Sequence, residues 1–181
     1  MYIPRECMSW LHAIMGSLWI KNVFGVHLSE EELRNIPHLR IELLTHIALR
    51  TVQTSCLFGA IVCAPVITLL SEPKTLRCLT RRSFKFATYG FLPGITIAPI
   101  LMYARMKDQP DEAFYDRCYR LRSNKSQLRV DRFSYIGLGC GGIAGFANAA
   151  GPIQTAIIGM MIGTVAAVCC NKIENSISTH K

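Results

Sequence analysis

Apolar and polar positions are segregated along this chain over distances far longer than one turn of helix or one strand. Thr51 to Leu70 runs 20 residues without a charged side chain, Phe86 to Ala104 runs 19, and Phe133 to Asn171 runs 39. About 20 apolar residues cross the hydrocarbon core of a bilayer as a helix, so the first two runs are each one span long and the third is two. Gly151-Pro152 divides the third run, because proline lacks an amide donor and glycine tolerates positive φ. The pattern predicts an all-α protein with four transmembrane helices, at about 46–70, 86–104, 133–150 and 153–170. The competing reading, buried strands of a soluble α/β sheet, requires runs of about 5–6 residues bounded by polar turns, which these are not.

The flanks of these runs fit spans. His46 and Arg50 precede the first; Arg81, Arg82 and Lys85 precede the second, and Arg105 and Lys107 follow it. Arg129 and Arg132 precede the third, and Lys172 follows the fourth. Long cationic side chains at helix ends reach the headgroup region, and Tyr103 and Tyr135 stand where interfacial aromatics are expected.

The remaining segments divide the chain into an amphipathic N-terminal region (1–45), a transmembrane unit (46–171) with a basic loop (105–132), and a polar tail (172–181). Residues 8–26 carry an apolar stripe of Met8, Leu11, Met15, Leu18 and Trp19, too short to span. They read either as an interfacial helix anchored by Trp10 and Trp19 or as a helix packed on the bundle. Ser29 followed by Glu32 predicts a capping box opening a short helix that Pro37 interrupts, and from His38 one helix can run into the first span. The first 30 residues show neither a secretory signal nor an Arg-rich transit pattern, so any mitochondrial targeting is expected to be internal.

Composition agrees: only 18% of the residues are charged, against roughly 25% in soluble domains. Eight cysteines show no disulfide-framework spacing. Charge does not orient the chain. One side would hold 15 basic and 11 acidic residues, and the other only the loop 71–85 with five and one; counts favour one topology and density the other.

Small residues recur at intervals of four within the runs. Gly137, Gly141 and Gly145 do so in the third, Gly159 and Gly163 in the fourth, Gly90 and Gly94 in the second, and Gly59, between Ser55 and Cys63, in the first. Such ridges let helix backbones approach closely. Spacing alone leaves open whether each faces inward or towards a partner. Gly137-Leu-Gly139-Cys-Gly141-Gly142 also matches a dinucleotide fingerprint, but no acidic residue follows until Glu174 and the run opens an apolar span, so nucleotide binding is not expected. No metal-ligand spacing or catalytic set is present, and neither cofactor nor metal is expected. Cys169-Cys170, at a predicted helix end, reads as plain packing or an acylation site. Gln53, Asn148 and Gln154 are the strongly polar side chains of the spans, which argues against an ion pump. The basic loop offers Arg117, Arg120, Arg122, Arg129 and Arg132 to an anionic lipid such as cardiolipin or to a partner's acidic surface; nucleic acid is not expected between two spans.

Asp131, Tyr135, Gly139, Cys140 and Gly142, in the run DRFSYIGLGCGG, together with four short glycine-ridged spans, resemble the mitochondrial inner-membrane Tim family of translocase channel subunits. That superfamily includes an accessory subunit of respiratory complex I, and the Asp…Tyr…Gly-Cys run is nearest that branch. Gln127 stands where the family carries arginine, four residues before the aspartate. The resemblance implies a multi-pass inner-mitochondrial-membrane protein without catalytic activity, working as an accessory subunit of complex I or its supercomplex. A component of an import translocase is the alternative, with Gln53, Asn148 and Gln154 as its candidate groove.

Overall fold

The structure, a computed structural model, describes residues 18–148 and 151–179. Most of the predicted interfacial segment 8–26 lies outside these residues. The described residues form helices and no strand: α1 (Leu18–Val23), α2 (Glu30–Arg34), α3 (Leu39–Phe58), a π-helical turn (Gly59–Cys63), α4 (Ala64–Leu70), α5 (Leu76–Met106), α6 (Asp111–Ser123), α7 (Lys125–Ala147) and α8 (Pro152–Thr179).

Local chemistry accounts for the boundaries. Ser29 Oγ accepts from the Glu32 amide at 3.2 Å, and Glu32 accepts from the Ser29 amide at 2.9 Å, closing the capping box that starts α2. The bond from the Ser29 amide also holds the Glu32 carboxyl below its ordinary range. Pro37 separates α2 from α3, which then continues through the π turn and α4 as one 32-residue apolar rod, Leu39–Leu70. The π turn has a cause in sequence. Pro65 has no amide hydrogen to donate back and its ring crowds the preceding turn, so the helix widens there. The Ala60 carbonyl, which that missing hydrogen would have met, accepts from Ser83 Oγ of α5 at 3.2 Å.

Among the described residues, three helices are long and apolar enough to cross a membrane: Leu39–Leu70, Leu76–Met106 and Pro152–Ser178. α7 is not among them, since Lys125, Arg129, Asp131 and Arg132 occupy its first two turns. α7 and α8 form the most extensive helix pair and α3 with α5 the next, so the architecture is two antiparallel hairpins laid together. Their junction is a core of Leu49, Val52, Cys56, Ala87, Ile157 and Met160, with Tyr135 packed on it. A second core, of Ile36, Leu43, Met106, Phe114 and Cys118, seats α6 across the ends of α3 and α5.

One expectation is corrected here. The segment 105–132 is not a loop: it contains α6 and the first turns of α7. Asp111 and Glu112 open α6 while Arg120 and Arg122 close it, each sign suiting the dipole at its end. The tail 172–181 is likewise helical as far as Thr179, as a continuation of α8. Tyr135 packs on the core between the hairpins, whereas Tyr103 is exposed.

Candidate functional site

The helix seams are set by glycine. A methyl group placed on Gly137 would lie 2.8 Å from the carbonyl carbon of Gly159, and one on Gly163 would lie 2.7 Å from that of Phe133. Gly141 and Gly145 meet the backbone of Thr155 and Pro152 in the same way. In the other hairpin Gly59 faces Phe86, Gly90 faces Ser55 and Cys56, and Gly94 comes to 2.6 Å from the Val52 Cα. All eight glycines singled out in the sequence thus face a neighbouring helix of this same chain. A methyl group on Gly139 would meet nothing within 4 Å beyond its own helix, and one on Gly142 would make only an ordinary contact with Ala156.

Where the two hairpins meet, polar side chains 81 or more positions apart in sequence close on one another. Asp131 of α7, 4% exposed, receives Arg50 Nη2 at 2.8 Å on one oxygen and lies 3.0 Å from His46 Nδ1 through the other. The Gln127 side-chain amide lies 3.1 Å from His46 Nε2. Arg50 Nη1 donates to Gln53 Oε1 at 3.0 Å, and Gln53 Nε2 donates to the fully buried Ser134 Oγ at 2.8 Å. Ser134 in turn lies 2.9 Å from Thr164 Oγ1 on α8. The chain of contacts therefore ties α3 to α7 and α7 to α8. A buried carboxylate is tolerated only when paired and hydrogen-bonded, and Asp131 is both.

A second cluster holds α6. Arg122, 2% exposed, clasps Glu42 of α3 through two bonds of 2.7 Å, from Nε and Nη2. Its Nη1 donates to the carbonyls of Asn35 at 3.0 Å and Glu32 at 3.2 Å, just where α2 ends. Its own carbonyl accepts from Asn22 Nδ2 at 3.0 Å. Arg132 Nε donates to the Val23 carbonyl at 2.6 Å, beside Gly25, whose φ of +87° suits glycine alone. No buried side-chain nitrogen or oxygen among the described residues lacks a partner.

A family model described as "Protein of unknown function (DUF1757)" matches residues 19–172, which hold both clusters and every glycine seam. The chain belongs to the DUF1757 family. Among curated proteins nothing matches it.

The arginines expected to meet lipid or a partner are mostly engaged inside the DUF1757 chain. Arg122 is buried, which corrects its assignment to a lipid-facing or partner-facing surface: the Glu42 carboxylate, 80 residues away in sequence, takes it inward. Arg132 holds the end of α1, Arg129 pairs with Glu174 and Asn171 of α8, and Arg120 pairs with Asp116 one turn earlier. Arg117 is half-buried on α6. Nor do Gln53, Asn148 and Gln154 share a groove. Gln53 bonds to Ser134, whereas Asn148 caps α7, 14 residues and roughly 21 Å of helix further on, and Gln154 sits in the first turn of α8.

Cys118 is fully buried and its Sγ lies 3.3 Å from the Leu39 carbonyl. Burial, reinforced by the nearby Glu42 charge, pushes its thiol up to about 12. The thiolate is the nucleophile, so at pH 8 alkylation of Cys118 should run on the order of 1,000-fold more slowly than that of an unperturbed cysteine. Timed labelling with iodoacetamide, read by peptide mass spectrometry, checks this. Equal rates at Cys118 and at the half-buried Cys78 would show that α6 is not docked as described.

Proposed function

We propose that this DUF1757 protein spans the membrane four times, α7 being the fourth span against α8, and that it lies in the mitochondrial inner membrane. We further propose that it has no catalysis of its own and serves as an accessory subunit of a large respiratory assembly, complex I or a supercomplex containing it. One observation carries the non-catalytic reading. The polar side chains close on each other within the fold, and the outward surface of the long helices is a field of exposed aliphatics such as Ile61, Leu92, Ile100, Ile143 and Ile162. Polar groups engaged with one another are not free to act on a substrate, whereas the apolar field gives an apolar partner or lipid much to cover. Because the eight seam glycines face helices of the same chain, partner contact is assigned to this outer apolar field and not to the glycine ridges. The respiratory assignment itself is supported by the resemblance around Asp131 and Tyr135.

The test is a native gel of a mild-detergent mitochondrial extract, with the chain tagged and its co-migrating proteins identified. Co-migration with NADH dehydrogenase activity is the expected result. Migration in a smaller assembly with presequence-binding partners would replace it with the import-translocase reading.

A further inference from the structure

We infer that an anionic diacyl phospholipid binds along the first three turns of α5, its phosphate on Arg77, Arg81 and Lys85 and one acyl chain in the groove between α5 and α8. The inference needs the helices to lie in a membrane but is independent of which assembly holds the protein.

Arg77, Arg81 and Lys85 recur every fourth residue and so share one face of α5. All three are exposed. Among the described residues, no ion pair or side-chain hydrogen bond engages any of them, unlike the other cations at this end of the molecule. Lys74 pairs with Glu72 at 3.5 Å, and Arg82 Nη1 donates to the Ser71 carbonyl at 3.2 Å, capping α4. The arginines of α6 and α7, by contrast, are largely taken up by carboxylates and carbonyls of the fold. Other described cations, such as Arg105 and Lys125, are also unpaired, but Arg77, Arg81 and Lys85 stand together on one helix face.

Beside the stripe a groove of about 580 Å³ opens between the hairpins, lined by Ile61, Phe84, Ala87, Ile158, Met161 and Val165 among others. Its one polar side chain, Ser83, already bonds to the Ala60 carbonyl. Phe84, which lines the groove, stands three residues after Arg81 and seven after Arg77 on the same helix face, so the groove begins next to these cations. Depth matters too. Lys85 lies nine residues past Leu76, roughly 13 Å along the axis, while Leu69, Leu70 and Leu76 at the hairpin tip are exposed. The cations thus sit alongside apolar surface and not beyond it. A soluble acidic partner would satisfy the stripe and leave the groove empty; an apolar helix would fill the groove and leave three cations unmatched. A phospholipid carries both a phosphate for the stripe and a chain for the groove.

Native mass spectrometry of the full chain in detergent, titrated with phosphatidylglycerol or phosphatidylcholine of identical acyl chains, tests this. Phosphatidylglycerol should be retained over phosphatidylcholine. R77Q/R81Q/K85Q should weaken retention on the order of 100-fold, at roughly fivefold per cation. R77K/R81K/K85R should keep it, V165W should lower it by filling the groove, and R117Q/R120Q should leave it unchanged. Unchanged retention in R77Q/R81Q/K85Q overturns the proposal. So does equal competition by chainless glycerophosphoglycerol, which would leave the groove without a role. If that triple variant keeps its lipid but drops out of its native complex, the stripe is a protein-docking surface and the lipid assignment fails.

Discussion

Replacing Gly137 with leucine is expected to force α7 away from α8. The obstacle is backbone: even the first carbon of a side chain would lie 2.8 Å from the Gly159 carbonyl carbon, and no rotamer change relieves it. Inserting methylenes into a packed core ordinarily costs about 1–3 kcal/mol through side-chain and small backbone shifts. Here two helices must separate along their whole contact, so the loss should exceed that range. Gly139→Leu, two residues away, is the matched control. A methyl group on Gly139 would meet nothing within 4 Å beyond its own helix, and the change should fall within about ±0.5 kcal/mol. Unfolding midpoints in mixed micelles, titrated with a denaturing detergent, compare the two directly. Equal losses at both positions would mean that the seam does not hold the hairpin.

Arg122→Leu is the second large effect. It leaves the Glu42 carboxylate, 7% exposed, without its two guanidinium bonds, and strips the Asn35 and Glu32 carbonyls of a donor. Removing one member of a buried pair typically costs about 3–5 kcal/mol, mostly the penalty of the charge left behind. Adding Glu42→Leu should therefore recover a good part of the loss, though not all, because the two carbonyls stay unmatched. The same denaturation series on the two single variants and the double gives the cycle. A double variant no better than Arg122→Leu alone would assign the loss to packing and not to the orphaned charge.

How much of this was legible in the sequence depends on whether the signal is local. The capping box at Ser29 and Glu32, the break at Pro37 and the turn at Gly151-Pro152 are set by neighbours a few residues apart and are readable as written. The long apolar rods follow from charge-free runs alone. α6 is hidden in the sequence because its density of cations reads as a basic loop offered to lipid or a partner. The local signs were present all the same: acidic residues at 111 and 112, the pair Asp116–Arg120 at helical spacing, and Asn124 accepting from the Gln127 amide at 3.1 Å to start α7. The Asp131 and Arg122 clusters are another matter. Their partners lie 80 or more residues away, and no spacing rule connects Arg122 to Glu42 or His46 to Asp131. Only the docking of one hairpin on the other brings them together, which is why arginines that look like a surface patch in sequence are internal struts in space.

The division into two glycine-seamed hairpins also sets a sequence of events for biogenesis. Each hairpin pairs helices that follow one another in the chain, so α3 with α5, and later α7 with α8, can each form as its own segment is made. The contacts of Asp131 with His46 and Arg50 wait until the second hairpin has emerged. Until then, Arg50 has only Gln53 of its own helix as an acceptor, and His46 lacks its carboxylate partner. The late arrival of Asp131 makes it the latch that ends assembly, and a chain cut between α5 and α7 should present an unlatched hairpin to the quality-control proteases of its membrane.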